Sequence, residues 1–340
     1  MTLEADPHAR DDVAAPSRAQ YSAGSTDWRA RWRRSAAGRR LAQWKQWCSA
    51  PRALLHRRRT AEEWLARTPE SVRMNADGWA RFEAGTLPGA EDAIELARRV
   101  RAERAPLLER IRAGRSGGRR ITLDLFGDDL LARHPELVDQ VLADAWLRPV
   151  VEYLGTIPFL ARVTLAHSGH LPELEAPAFH QRFHLDNDDT RHVKLYVHTH
   201  EVTEEHGPVC FLPAAATERV LAALAREGFS RAADTTYDDV DVFRHASPDE
   251  LVTITGPAGA GVYADLSRCL HYGSRVRAGR ERAVLVVEFL RFHRLHENAS
   301  NQLDPPRADH DLVRRHALTP PVRRPRGYFL DDVSKELPPR

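Results

Sequence analysis

Past about residue 155 the spacing of apolar side chains switches from a helical period to a period of two. The stretches 159–166, 179–186, 192–200, 209–212, 251–254, 261–264 and 283–292 read as strands, parted by Gly, Pro and Asn or Asp turns. One short helix, 217–227, interrupts them. A series of short strands broken this way predicts an antiparallel sandwich or jelly roll.

The first half reads as helical. Thr60-Ala-Glu-Glu63 has the S/T-x-x-E pattern of a capping box ahead of Trp64 and Leu65. Ile94, Leu96, Ala97, Val100, Leu107, Leu108 and Ile111 form the apolar side of a helical stretch over 90–113. Pro106 should kink or split it, and Gly114 with Gly117-Gly118 should end it. A second stretch is expected over 137–154, interrupted near Pro149 and stopped by Gly155. The predicted class is therefore mainly β, with a helical N-terminal part.

The 340 residues hold 50 basic and 48 acidic side chains, a net charge of +2, so nothing global draws the chain toward nucleic acid or a membrane. No apolar run is long enough for a transmembrane helix. The N-terminus carries acids and no apolar core of a secretory signal. Cys48, Cys210 and Cys269 show no C-x-x-C spacing, which suits a reducing, cytoplasmic setting and argues against a thiolate zinc site. Four regions are expected: a disordered 1–27, a basic arm over 28–59, a main domain over 60–297 and a Pro- and Arg-rich tail over 298–340. The arm contains eleven Arg or Lys, no Asp or Glu, and Trp28, Trp32, Trp44 and Trp47. It reads either as a contact for an anionic surface or as a helical arm that packs its tryptophans on the main domain. The balanced whole-chain charge favours packing. No ligand candidate lies in 1–59, so those residues are expected to be dispensable for chemistry.

The chemistry concentrates in Phe179-His-Gln-Arg-Phe-His184-Leu-Asp186, the one His-x-Asp in the chain. Residues i and i+2 of a strand point to the same face, roughly 6.5–7 Å apart, so His184 and Asp186 can grip one ion. The alternative is a strand histidine hydrogen-bonded to its neighbour. His271, 87 residues on, is the candidate third ligand from another strand. Two imidazoles and a carboxylate on one face leave coordination positions open, as nonheme Fe(II) requires when it must also bind a cosubstrate and O₂. Arg282 lies eleven residues after His271 and opens a strand. If 272–281 turns back as a hairpin, strand pairing brings this guanidinium to the pocket, where its planar fork matches a carboxylate. Arg275, Arg277 and Arg280 crowd the same turn and are expected to be solvated.

The run Gln181-x-x-His184-x-Asp186, the stretch from Val193 through Gly207-Pro208 to Pro213, and Ala264-Asp265 leading to Leu270-His271-x-Gly273 and Arg282 together resemble the phytanoyl-CoA dioxygenase family. The resemblance covers about residues 155–292. It implies a double-stranded β-helix (a cupin-like jelly roll) flanked by helices, with His184, Asp186 and His271 as iron ligands and Arg282 on the far carboxylate of 2-oxoglutarate. The implied activity is an Fe(II)- and 2-oxoglutarate-dependent dioxygenase using O₂. It would hydroxylate a C–H bond of a small molecule, such as a natural-product intermediate or a lipid-like chain, and release succinate and CO₂. Desaturation or cyclisation by the same site, or a jelly-roll binding protein without catalysis, are the alternatives. Two departures leave the substrate open: Phe183 stands where the family often has Trp, and Pro213-Ala-Ala-Ala where it often has Pro-Gly-Ser-His.

Lys194, Tyr196, His198 and His200 share one strand face, and Leu195, Val197 and Thr199 the other. If the polar face lines a wet cavity, Lys194 or Tyr196 can touch the cosubstrate and His198 the substrate; alternation alone leaves open that it faces solvent. Gln181 and Arg182 flank the first ligand and are expected at the pocket mouth, near substrate.

Overall fold

The computed structural model describes residues 36–112, 121–126, 133–171, 176–230, 235–291 and 306–320. The expectations for 1–27, for most of the tail and for Gly114 and Gly117-Gly118 lie outside the described residues. Two antiparallel sheets carry the second half. The first contains β1 (Trp79–Phe82), β2 (Leu123–Asp124), β3 (Phe159–Gly169), β5 (His192–His198), β9 (Gly261–Ala264) and β11 (Glu281–Leu290), in the order β1-β9-β5-β11-β3-β2. The second contains β4 (Phe183–His184), β6 (Cys210–Phe211), β7 (Thr236–Tyr237), β8 (Val252–Thr253) and β10 (His271–Tyr272), in the order β7-β4-β10-β6-β8.

Alternation decides how these sheets pack. Val193, Leu195 and Val197 of β5 join Ala283, Leu285, Val287 and Phe289 of β11 in one cluster with Ile94, Ala97, Trp146, Val150 and Leu154 of the N-terminal helices. The apolar face of the larger sheet is thus covered by helices, each fully buried large side chain contributing roughly 1.5–3 kcal/mol. Its other face meets the smaller sheet through Val209, Phe211, Val262 and Ala264. Helix Ala214–Arg226 covers the back of the smaller sheet with Ala216, Val220 and Leu224 against Phe183, Leu212 and Tyr237. The interior between the sheets is where Lys194, Tyr196 and His198 point. Among the described residues no helix is long and apolar enough to cross a membrane.

Several local expectations change. Helices Ala90–Glu103 and Ala105–Arg112 are split beside Pro106 as predicted. The second stretch breaks at Leu142 and Ala143 instead of Pro149, giving Pro135–Val141 and Asp144–Leu154, and ends at left-handed Gly155. Pro149 is carried inside the helix because Leu147, Val150 and Val151 around it are fully buried, which outweighs a penalty of ~3 kcal/mol. Thr60 caps nothing. The helix already runs from Pro51 to Leu65, and the Thr60 hydroxyl donates back to the His56 carbonyl (3.0 Å). The strand expected over 179–186 shortens to β4, preceded by a 3₁₀ turn at Phe179–Gln181.

The Pro51–Leu65 helix also runs through the boundary placed at residue 60. Arg57 is 2% exposed and donates to the carbonyls of Ile157 (3.0 Å), Pro158 (3.5 Å), His316 and Thr319. Leu54 is buried beside it, and helix Leu312–Ala317 seats Val313 and Ala317 in the main core. Residues 51–59 and 306–320 therefore pack with the main core across the boundaries expected at 60 and 297.

Candidate metal centre

β4 and β10 pair in antiparallel register with His184 directly opposite His271. That register sets the imidazoles side by side, with ring centroids 4.1 Å apart. Two residues after His184, the Asp186 amide donates to the Leu266 carbonyl (3.0 Å), which keeps the chain extended and turns the carboxylate to the same side. Asp186 Oδ1 lies 3.7 Å from His184 Nε2, and its Oδ2 lies 3.7 Å from His271 Nε2. The three side chains each offer a ligand atom within 4.8 Å of the others.

The imidazoles are held in one tautomer. His184 Nδ1 is 2.9 Å from the Arg182 carbonyl, and His271 Nδ1 is 3.0 Å from the Cys269 carbonyl. A carbonyl oxygen only accepts, so each Nδ1 carries the proton and each Nε2 lone pair faces Asp186, the arrangement that metal-binding histidines use. Burial pushes both imidazoles below their ordinary pKa, His271 the further, which keeps them neutral. For Asp186, burial opposes the charge, but the Lys194 ammonium outweighs it and holds the carboxyl well below its usual range.

Lys194 therefore has a more definite place than its strand position implied. Its Nζ donates to Asp186 Oδ2 (2.6 Å) and lies 3.9 Å from Glu288 of the adjacent strand. It grips a candidate ligand, with one of its three N–H donors on the Asp186 carboxylate. Asp186, Asp188 and His192 form a second group with ligand atoms within 4.8 Å. It is poorly built for an ion: the Lys194 ammonium already sits on the shared carboxylate, and His192 Nε2 stands 3.6 Å from that same oxygen while its Nδ1 has no hydrogen-bond partner among the described residues.

Arg282 reaches the interior by a different route from the hairpin expected. β10 and β11 lie in different sheets, so 273–280 crosses between them. Its main chain is captured on the way. The Gly273 amide donates to His180, Ser274 to Gly207 and Arg277 to Glu205 (each 3.0 Å), which ties the segment to other parts of the chain. Arg282 is 7% exposed. Nη1 donates to the Gly207 carbonyl, Nη2 to Ser274 Oγ (3.0 Å), and Nε has no partner among the described residues. Gly207 has a positive φ of 64°, and a Cβ there would lie 2.6 Å from the Arg275 amide nitrogen, so only glycine brings that carbonyl so close. Among the described residues no carboxylate ion-pairs with Arg282, and burial pushes its guanidinium down to about 10. A buried cation without an anion is costly unless a ligand supplies one.

Tyr196 flanks Arg282 on the interior face, its hydroxyl pushed up to about 12 by burial. His198 is buried on the same face, and burial followed by the Arg282 charge pushes it down to about 4. Gln181 braces the turn before β4, donating from Nε2 to the Ser274 carbonyl (2.8 Å) and accepting from the Ala178 amide (3.2 Å). Arg182 pairs with Asp238 (2.8 Å). The arginines of the crossing segment are not simply solvated: Arg275 forks onto Asp239 (2.7 Å twice) and lies 3.5 Å over the Tyr272 ring, and Arg280 pairs with Glu205 (2.7 Å). The residues missed from sequence were Glu288, Gly207 and Ser274. Glu288 had a signal, as the one acid inside the apolar run of β11; Gly207 stood in the Gly-Pro pair of the resemblance without a role, and Ser274 had no signal.

The chain matches no protein-family profile and no curated protein. Among solved structures it is similar to HygX from Streptomyces hygroscopicus with nickel and 2-oxoglutarate bound, at 15% identity over 67% of this chain and 91% of that one, TM-score 0.42. It is similar to EctD from S. alaskensis in its apoform, at 16% identity over 63% and 73%, TM-score 0.40. It is also similar to EvdO2 from Micromonospora carbonacea var. aurantiaca complexed with 2-oxoglutarate, at 16% identity over 62% and 85%, TM-score 0.38.

Proposed function

We propose that this chain is an Fe(II)- and 2-oxoglutarate-dependent oxygenase of the phytanoyl-CoA dioxygenase type, its two sheets forming a double-stranded β-helix. The observation that carries the reading is the pairing of two tautomer-locked histidines and a carboxylate with a buried guanidinium that lacks an anion. The donor set fits nonheme iron: neutral nitrogens and one oxygen, with no thiolate. His184, Asp186 and His271 would hold the metal, and Arg282 would take the far carboxylate of 2-oxoglutarate. Bound iron with 2-oxoglutarate and O₂ supplies the oxidation, 2-oxoglutarate leaving as succinate and CO₂ while a small molecule is hydroxylated at a C–H bond.

The chain's own residues do the positioning. The Arg182 and Cys269 carbonyls fix the direction of both imidazoles. Lys194 holds one oxygen of Asp186 and so fixes the carboxylate plane. Gly207 and Ser274 hold the guanidinium, so little ordering remains to be done when a carboxylate arrives. Tyr196 and His198 line the interior beside Arg282, where Tyr196 supports the cosubstrate and His198 meets the substrate. Gln181 and Arg182 border the entrance, and the compartment is the cytoplasm. The test is anaerobic addition of Fe(II) and 2-oxoglutarate to the apoprotein. A weak visible charge-transfer band is expected, lost in His271→Ala. No band and no succinate after admitting O₂ would overturn the assignment.

A further inference from the structure

We propose that the two N-terminal helices are a docking surface for an anionic lipid interface, independently of the chemistry assigned above. Residues 28–59 hold eleven basic and no acidic side chains. Removing those eleven from the 50 basic residues leaves 39 against 48 acidic ones, so positive charge is concentrated in this part of the sequence despite the small net charge; Arg57 is buried, and Arg40, Arg52 and Arg59 are exposed. A negative surface attracts such a concentration of positive charge.

The structure decides which way the apolar groups of this arm face. In helix Ala36–Ser49, Ala37, Arg40, Trp44 and Cys48 are exposed at helical-neighbour spacing and form one stripe. Trp44 is 63% exposed, so its indole is not packed on the domain. In helix Pro51–Leu65, Arg52, Leu55 and Arg59 repeat the pattern, with Leu55 46% exposed. The opposite side of that helix, Leu54, Arg57, Ala61 and Trp64, is buried and anchors the arm. Among the described side chains, Trp44 is exposed beside Arg40 and Leu55 between Arg52 and Arg59.

That mixture fits lipid better than nucleic acid. At a bilayer surface an indole and a leucine enter the headgroup–acyl boundary while arginine stems lie along the apolar layer and their heads rise to the phosphates. A duplex backbone uses the charges and leaves the apolar groups in water.

The experiment uses the full chain and co-sedimentation with vesicles of phosphatidylcholine containing about one third phosphatidylglycerol, against phosphatidylcholine alone. Binding to the anionic vesicles, a blue shift of tryptophan emission and loss of both in high salt are expected. Arg40→Glu/Arg52→Glu/Arg59→Glu should weaken partitioning on the order of a hundredfold, and Trp44→Ala should weaken it at unchanged salt dependence. Neither variant should move the melting temperature by more than a few degrees or alter metal binding. Equal binding of wild type and triple variant, no binding to anionic vesicles, or tighter binding to duplex DNA than to vesicles would each overturn the proposal.

Discussion

Replacing Arg282 by Lys separates charge from shape at the proposed cosubstrate clamp. A guanidinium carries five N–H donors in a rigid fork. Gly207 and Ser274 each take one, from different terminal nitrogens, and the buried Nε–H has no acceptor among the described residues. The unspent donors are the ones a carboxylate would meet. An ammonium is shorter, has three donors on one atom, and cannot satisfy both fixed acceptors and present two parallel hydrogen bonds. The variant should lose one charge-assisted bond to 2-oxoglutarate, about 1.5–3 kcal/mol, or roughly ten- to a hundredfold in affinity. Titrating the anaerobic Fe(II) protein with 2-oxoglutarate and following the charge-transfer band gives this number without any substrate. The metal affinity should be unchanged, because Arg282 touches none of the three ligand candidates. A 2-oxoglutarate affinity within twofold of wild type, or an equal loss of iron and 2-oxoglutarate, would refute the clamp.

His271→Ala should abolish Fe(II) or Co(II) binding while circular dichroism keeps the β signal; retained stoichiometric binding would remove it from the site. Lys194→Met strips the ammonium from a largely buried Asp186, a cost on the order of 3–5 kcal/mol in the metal-free protein. Added Co(II) should then raise the variant's melting temperature more than the wild type's; equal shifts would show that Lys194 does not balance this carboxylate. Arg57→Ala leaves the carbonyls at 157 and 158 and those at 316 and 319 without their shared donor, and should cost on the order of 2–4 kcal/mol in a urea melt. By the same reasoning a chain begun at residue 36 should fold, and one begun at residue 60 should melt markedly lower. Equal stability of the two would detach the Pro51–Leu65 helix from the core.

Local rules carried part of this molecule. The i, i+2 geometry of an extended chain put His184 and Asp186 on one side whatever the rest did. The same alternation grouped Lys194, Tyr196 and His198, and Pro106 and Gly155 marked helix ends from their own backbone limits. Tertiary structure decided everything that depends on a partner distant in sequence. A period of two says which residues share a face and never which face is inside; the helices packed on Val193, Leu195 and Val197 settled that. The third histidine stands directly across from the first because β4 and β10 pair in that register. Arg282 comes from the opposite sheet because the main chain of 273–277 finds its acceptors at His180, Gly207 and Glu205. Thr60 and Pro149 follow the same logic, since a propensity worth ~1–3 kcal/mol yields to a buried helical face. Arg57 shows the limit most plainly: in a run of arginines nothing distinguishes it, and only the carbonyls that converge on it from 157, 158, 316 and 319 make it part of the core.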